Sequence, residues 1–275
     1  MCIYIWFRGR QWLNLLLPFG TGWALGILLA AYYIANLLCV NHVKGMDGKI
    51  PTYITSIGTV AAMYLTMTIA LGDLLRWGLH FFVDTPQILA FLFLVEGAVC
   101  LLVTVGAVAY GLCHARKLRT VHYQLPLTGL SQDTRLVLLS DLHIGHFIGP
   151  KHIQKLVTEI NHLKPDMMVI SGDMMNAGSA TECPQVTEVA KILGKMKSQR
   201  GTFAVTGNHD PEPENPDFQR FLRRAKIHLL EDQVLTTSQF HLVGRSTRVR
   251  PRKDLKTLLE GLPKDGPFWC WTTTP

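Results

Sequence analysis

From Gln11 to Val40 the chain carries no charged side chain. A helix needs about 20 apolar residues to cross roughly 30 Å of hydrocarbon, so this stretch is long enough to span a membrane. Two more follow, from Tyr53 to Leu71 and from Gln87 to Cys113, the last broken only by Glu96. A secretory signal peptide would show one short apolar core, not three long ones. The expectation is a transmembrane region over residues 1–113, with helices at about 11–40, 53–72 and 87–113.

Charge divides the chain at the same place. Residues 1–113 hold nine charged side chains, leaving 38 for the 162 residues from 114 onward. The net charge of +7 splits into +1 and +6. A lipid-like first part and a soluble second part follow, joined by a basic linker at 114–132. With 48% hydrophobic residues and only 17% charged, the chain is not of the disordered class. The basic excess of the second part suits anionic lipid surfaces or simple solubility.

Several details of the first part carry expectations. Pro18, Gly20 and Gly22 mark an interfacial kink or a broken helix. Glu96 is costly in lipid and is expected to face the protein interior. The run His114-Ala-Arg-Lys-Leu-Arg119 is a basic flank that places the following domain in the cytoplasm. With three spans, Arg8 and Arg10 would then lie outside. Residues 1–7, Met-Cys-Ile-Tyr-Ile-Trp-Phe, read like the tail of an earlier span. The natural chain is therefore expected to start upstream and to have four. The six cysteines form no C-x-x-C pair, so neither a zinc ribbon nor a redox motif is indicated.

The second part alternates apolar runs of two kinds. Strands are expected at 135–140, 167–170, 202–205 and 239–243, and helices at 150–163, 184–197 and 217–226. The helix at 150–163 shows one apolar face through Ile153, Leu156, Val157, Ile160 and Leu163. Such alternation reads as a layered α/β domain, over 133–275.

Chemistry-bearing residues follow the first three strands: Asp141-Leu-His143, Gly172-Asp173 and Gly207-Asn-His-Asp210. Ligands of α/β sheets collect at the carboxyl ends of strands. Asp141 and His143 alternate about a leucine and can face one ion from an extended segment. Asp173 can bridge two ions, and Asn208 offers a neutral oxygen to the second. This mixture of carboxylate, imidazole and amide suits two divalent ions, Mn, Fe or Zn. Two such ions clamp a phosphoryl group and generate hydroxide as nucleophile. His209 is placed to protonate the leaving oxygen. Glycines at 172 and 207 allow close backbone approach. His146 lies three residues past His143 and is a further histidine to watch.

Together, Ser140-Asp-Leu-His143, Ser171-Gly-Asp173 and Thr206-Gly-Asn-His-Asp210 resemble the calcineurin-like metallophosphoesterases, in their multi-pass membrane branch. The resemblance covers about residues 133–275. It implies a four-layer α/β sandwich, a dimetal centre and hydrolysis of phosphate esters. Asp141 and His143 would bind the first metal, Asp173 would bridge, Asn208 would bind the second, and His209 would be catalytic. Phosphomonoesters, phosphodiesters and lipid-linked pyrophosphates all remain open as substrates. Nucleic acid is not expected, since no aromatic–basic stacking pattern is present.

The family's later histidines, including a Gly-His-x-His motif, have no counterpart here. A one-base shift of the codons for residues 268–275 would encode an apolar residue and Leu-Val-Leu-Asp and, with C at the free positions, then His-His-Pro. The expectation is a frameshift just after Pro267, an incomplete sandwich with an exposed sheet edge, weak metal binding and impaired activity. The alternative is a non-catalytic membrane fragment that keeps the fold.

Overall fold

The computed structural model describes residues 1–17, 21–40, 49–83, 85–127, 129–145, 147–176, 184–238, 240–245, 252–262 and 267–272. The chain divides into two compact units, Met1–Lys117 and Leu118–Pro275. Pro18, Gly20 and His146 lie outside the described residues.

The first unit is helical: α1 (Cys2–Leu16), α2 (Thr21–Val40), α3 (Lys49–Leu79) and α4 (Pro86–His114). The uncharged stretch 11–40 is therefore divided between two helices rather than forming one. Leu17 is extended, at φ −131° and ψ 160°, and ends α1. The helix α3 runs beyond the apolar stretch 53–72 and takes in Asp73 and Arg76. Among the described residues, three segments are long and apolar enough to cross a membrane: Thr21–Leu38, Ile50–Leu79 and Pro86–His114. Their outer faces expose large apolar side chains, among them Ile27, Leu28, Leu71, Phe91 and Leu102. Helices satisfy their own backbone groups, which is what a hydrocarbon surround demands.

Four charged residues of these helices meet one another. Asp73 lies 2.6 Å from Arg8 and 2.8 Å from Arg76, and Arg76 also reaches Glu96 at 3.0 Å. The guanidinium of Arg76 stands 4.7 Å from the centre of the Phe93 ring. Glu96 faces the protein interior, its side chain 9% exposed.

The second unit is a layered α/β structure. Strands β1 (Leu136–Leu139), β2 (Met167–Ser171), β3 (Thr202–Val205) and β4 (Ile227–Leu229) form a parallel sheet in that order. Parallel neighbours need crossovers, supplied here by α5 (Pro150–Leu163), α6 (Pro184–Leu193) and α7 (Pro216–Ala225). Strand β2 is buried on both faces through Met167, Met168, Val169 and Ile170. Pro150 opens α5, and Ile153, Val157 and Ile160 turn inward at helical spacing. Asn215 caps α7 by accepting from the N–H groups of Asp217 and Phe218. Phe218, Phe221, Leu222 and Ala225 are its buried face.

One face of the parallel sheet packs on these helices, with Ile170 and Ala204 joining the helix residues. The other face meets a second sheet, β5 (Gln233–Thr236), β6 (His241–Arg245) and β7 (Phe268–Thr272). Met167, Val169, Phe203 and Val205 there pack with Phe240, Leu242 and Trp271. The described residues thus form three layers, with a short helix α8 (Leu255–Leu259) beside β5. Three strands, β4, β5 and β7, go beyond the expected set. Strand β7 forms from the chain as it stands. It alternates exposed Phe268 and Cys270 with Trp269 and buried Trp271, and it pairs parallel with β6.

Candidate metal centre

The parallel register of β1, β2 and β3 brings three carboxyl ends to one edge. Beyond them the loops are tied by backbone bonds. The His143 N–H donates to the Asp173 carbonyl at 2.9 Å, and Ile144 N–H to the Met174 carbonyl at 2.9 Å. The segment after β1 therefore runs beside the segment after β2.

Asp141, His143 and Asp173 each present one donor atom, all within 4.8 Å of one another. The Asp141 carboxylate and the His143 ring nitrogen are 3.6 Å apart. The His209 ring stands edge-on to the His143 ring, centroids 5.2 Å apart. Its backbone N–H donates to Asp173 Oδ1 at 3.0 Å. Asn208, in the same loop, is exposed, and its side chain makes no hydrogen bond among the described residues. Asp141, His143, Asp173 and His209 are thus brought together, and Asn208 lies in the same loop as His209.

The backbone is strained at this point. Asp141, His143 and Asp173 have φ of 55°, 43° and 48°, in the left-handed region. Lys164 and Lys226, at the same kind of φ, close the helices α5 and α7. The site residues close no helix, and such strain concentrates where function requires a side chain in one place. Gly207 is required for the same reason. A Cβ there would overlap the Asp173 carboxylate and lie 2.5 Å from its backbone nitrogen.

A buried carboxylate organises the loops. Asp210, 5% exposed, accepts from Met175 N–H at 2.8 Å and Gly207 N–H at 2.9 Å. It links the segments that carry Asp173 and His209. Burial pushes its carboxyl above the usual range, and these backbone donors pull the other way. Glu231, after β4, accepts from Thr206 N–H at 2.7 Å and steadies the same turn. Ser140 donates its hydroxyl to Asp141. Sequence reasoning assigned roles to none of these three. Asp210 had a signal, as the acid ending the third motif. Glu231 had none, because the short strand before it shows no apolar periodicity.

The donor set fits a divalent cation. Two carboxylates and an imidazole converge, and no lysine or arginine among the described residues pairs with either acid. Like charges held together without a cation destabilise each other, and hard oxygen with imidazole nitrogen is what Mn, Fe or Zn accept.

Comparison with known proteins agrees with this geometry. Residues 134–258 match the calcineurin-like phosphoesterase family. A zebrafish (Danio rerio) protein named transmembrane protein with metallophosphoesterase domain is 34% identical over 119 residues, covering 42% of this chain and 26% of its own length. Its namesake from Bos taurus is 37% identical over 76 residues, 28% of this chain and 16% of that one. A UDP-2,3-diacylglucosamine pyrophosphatase from Chlamydia trachomatis is 33% identical over 76 residues, 28% of this chain and 22% of that one. The matched segments thus span about a quarter or less of these relatives. Behind helices apolar enough for a membrane, residues 134–258 are a calcineurin-like phosphoesterase domain.

Proposed function

We propose that this chain is a membrane-anchored, metal-dependent hydrolase of phosphate esters. The observation that carries the reading is the convergence of Asp141, His143 and Asp173 within 4.8 Å, with the His209 ring beside them. Asp141 and His143 would hold a first ion, Asp173 would bridge, and Asn208 would turn its amide oxygen to a second. When bound, such a pair supplies Lewis acidity toward the phosphoryl oxygen and an activated water. Hydrolysis forms one P–O bond from that water and breaks the P–O bond to the leaving group. His209, exposed and anchored through its own N–H to Asp173, gives a ring proton to the departing oxygen.

In this reading Asp173 and Asn208 would be the two ligands of the second ion. We infer that it is held weakly and that turnover is low, because affinity follows ligand number and geometry. A lipid-linked phosphate or pyrophosphate is the favoured substrate class. Support comes from the apolar helices and from the Chlamydia relative, whose name specifies a lipid-sugar pyrophosphate. The basic run after α4 supports a cytoplasmic catalytic unit.

The test is Mn-dependent hydrolysis of an aryl phosphodiester by the full chain in detergent. Turnover that a chelator removes, and that Asp173→Ala abolishes, is the expected result. Turnover unchanged by chelator or by that substitution would overturn the reading. Faster cleavage of a diacylated pyrophosphate than of its deacylated form would support the lipid class.

A further inference from the structure

Helices α1, α3 and α4 contain three arginines, and only two of them meet carboxylates. Arg8 and Arg76 share Asp73, and Arg76 also holds Glu96. Arg10 has no carboxylate partner among the described residues. Its guanidinium faces two indoles instead, 5.2 Å from the Trp23 ring and 5.8 Å from the Trp6 ring. Those rings lie 5.5 Å apart. Trp6 is itself fixed, its Nε1–H donating to the Gly22 carbonyl at 2.9 Å.

The stem of Arg10 is fixed as well. A Cβ on Gly22 would stand 2.5 Å from Arg10 Cγ and 3.2 Å from its Cα. The arginine lies on α2 only because position 22 has no side chain. This differs from an ordinary surface arginine, whose long stem moves freely in search of water.

Gly22 and Trp23 belong to the first turn of α2, where the candidate span Thr21–Leu38 begins. Trp23 is 55% exposed. Tryptophans at span ends mark the headgroup level. Gly9 faces Leu25 and Trp6 faces Gly26, so α1 runs antiparallel to α2. Residues before Arg10 therefore lie further along the span. The arginine there, Arg8, finds its counter-ion within the protein. The arginine at the start of the span does not.

We propose that Arg10, framed by Trp6 and Trp23, binds the phosphate of an anionic lipid headgroup where α2 enters the membrane. The guanidinium fork matches two phosphate oxygens. The positive end of the α2 helix dipole lies at the same level. The site belongs to the helical unit alone and does not depend on the phosphoesterase reading.

The experiment is native mass spectrometry of the full chain in detergent, titrated with phosphatidylglycerol, phosphatidylcholine or soluble glycerol 3-phosphate. One tightly held phosphatidylglycerol is expected, with phosphatidylcholine weaker and no displacement by glycerol 3-phosphate. Arg10→Gln removes the charge, Arg10→Lys keeps the charge without the fork, and Gly22→Ala keeps every charge but displaces the stem. Each should weaken the lipid adduct by roughly tenfold or more. Helix content and elution volume check folding, and Arg10→Lys decides the matter if Gly22→Ala does not fold. Wild-type binding by Arg10→Gln would overturn the proposal. So would loss in Arg10→Gln alone, which would mean charge at a surface and not a built site. Displacement by glycerol 3-phosphate would overturn the lipid assignment in favour of a free phosphate.

Discussion

In the helical unit Asp73 lies between Arg8 at 2.6 Å and Arg76 at 2.8 Å. In the α/β unit Asp141 and Asp173 converge on His143, with no lysine or arginine against either acid among the described residues. The first group neutralises itself where water is scarce and joins α1, α3 and α4. The second gathers like charges at a sheet edge and holds them with left-handed backbone at three residues. A self-neutralised cluster needs nothing further to be stable. A convergent one offers its donors to a cation. The same residue types thus build structure in one unit and a site in the other, and what separates the two cases is whether the charges already balance.

The comparison is broken most sharply at Asp173. Asp173→Ala removes the carboxylate proposed to bridge the two ions and the acceptor for the His209 N–H. Metal-dependent turnover should fall about a thousandfold or more, the loss of several kcal/mol of charge stabilisation. The thermal midpoint should hold or rise, because a like charge has left a strained loop. The measurement is initial rate and melting of the same preparation. A full rate would show that the convergent acids are not a site.

On the other side, Asp73→Asn should be mainly a stability change. It leaves Arg8 and Arg76 facing Glu96 alone. Unbalancing a buried ion group costs about 3–5 kcal/mol, and less here because the side chains are 17–22% exposed. A loss of about 2–3 kcal/mol is expected, read from the melting of helical circular dichroism in detergent. Turnover per folded molecule should not change. A large fall in turnover would mean that the ion cluster serves catalysis.

Much of this contrast was legible in the residues. Asp141, His143, Asp173 and His209 each follow an apolar strand, so their meeting at one edge follows from parallel strand order. The apolar stretches likewise located α2, α3 and α4. What was hidden has physical reasons. Asp73 and Arg76 interrupt the apolar signal, so α3 appeared to stop short of where it does. The pairing that lets α3 continue joins residues 65 positions apart in sequence, Arg8 with Asp73. Strands β4 and β5 are three and four residues long, too short for an alternation to register. Asp210 stood in a recognised motif, but its role depends on Met175, 35 positions away.

Asp210 tests whether the site's scaffold is separable from its ligands. In Asp210→Asn one oxygen still accepts an N–H, while the new amide meets a second donor. The cost should be about 2 kcal/mol, or roughly 4–8 °C in melting of the α/β unit. Mn affinity should weaken with it, because Gly207 and Met175 lose their common anchor. Unchanged melting would show that other contacts hold the two loops together.

The smallest expected effect is the most informative about the helical unit. Arg76 and Glu96 are partners at 3.0 Å, and Asp73 keeps Arg8 without them. Replacing both by methionine removes one positive and one negative charge and leaves the Arg8–Asp73 pair intact. Buried ion pairs often give way to apolar residues of similar volume at no cost. The loss of the Arg76 contact with Phe93, about 0.5–1 kcal/mol, is offset by the burial of two thioether side chains. The double variant should therefore melt within about 1 kcal/mol of the parent, whereas Arg76→Met or Glu96→Met alone should lose about 2 kcal/mol or more. The double-mutant cycle in detergent measures this directly. Near-neutrality of the double change would show that the ion cluster is interchangeable with apolar packing. A double variant as unstable as the worse single one would mean that the charges do more than neutralise each other. The contrast with Asp141 and Asp173 would then be one of degree.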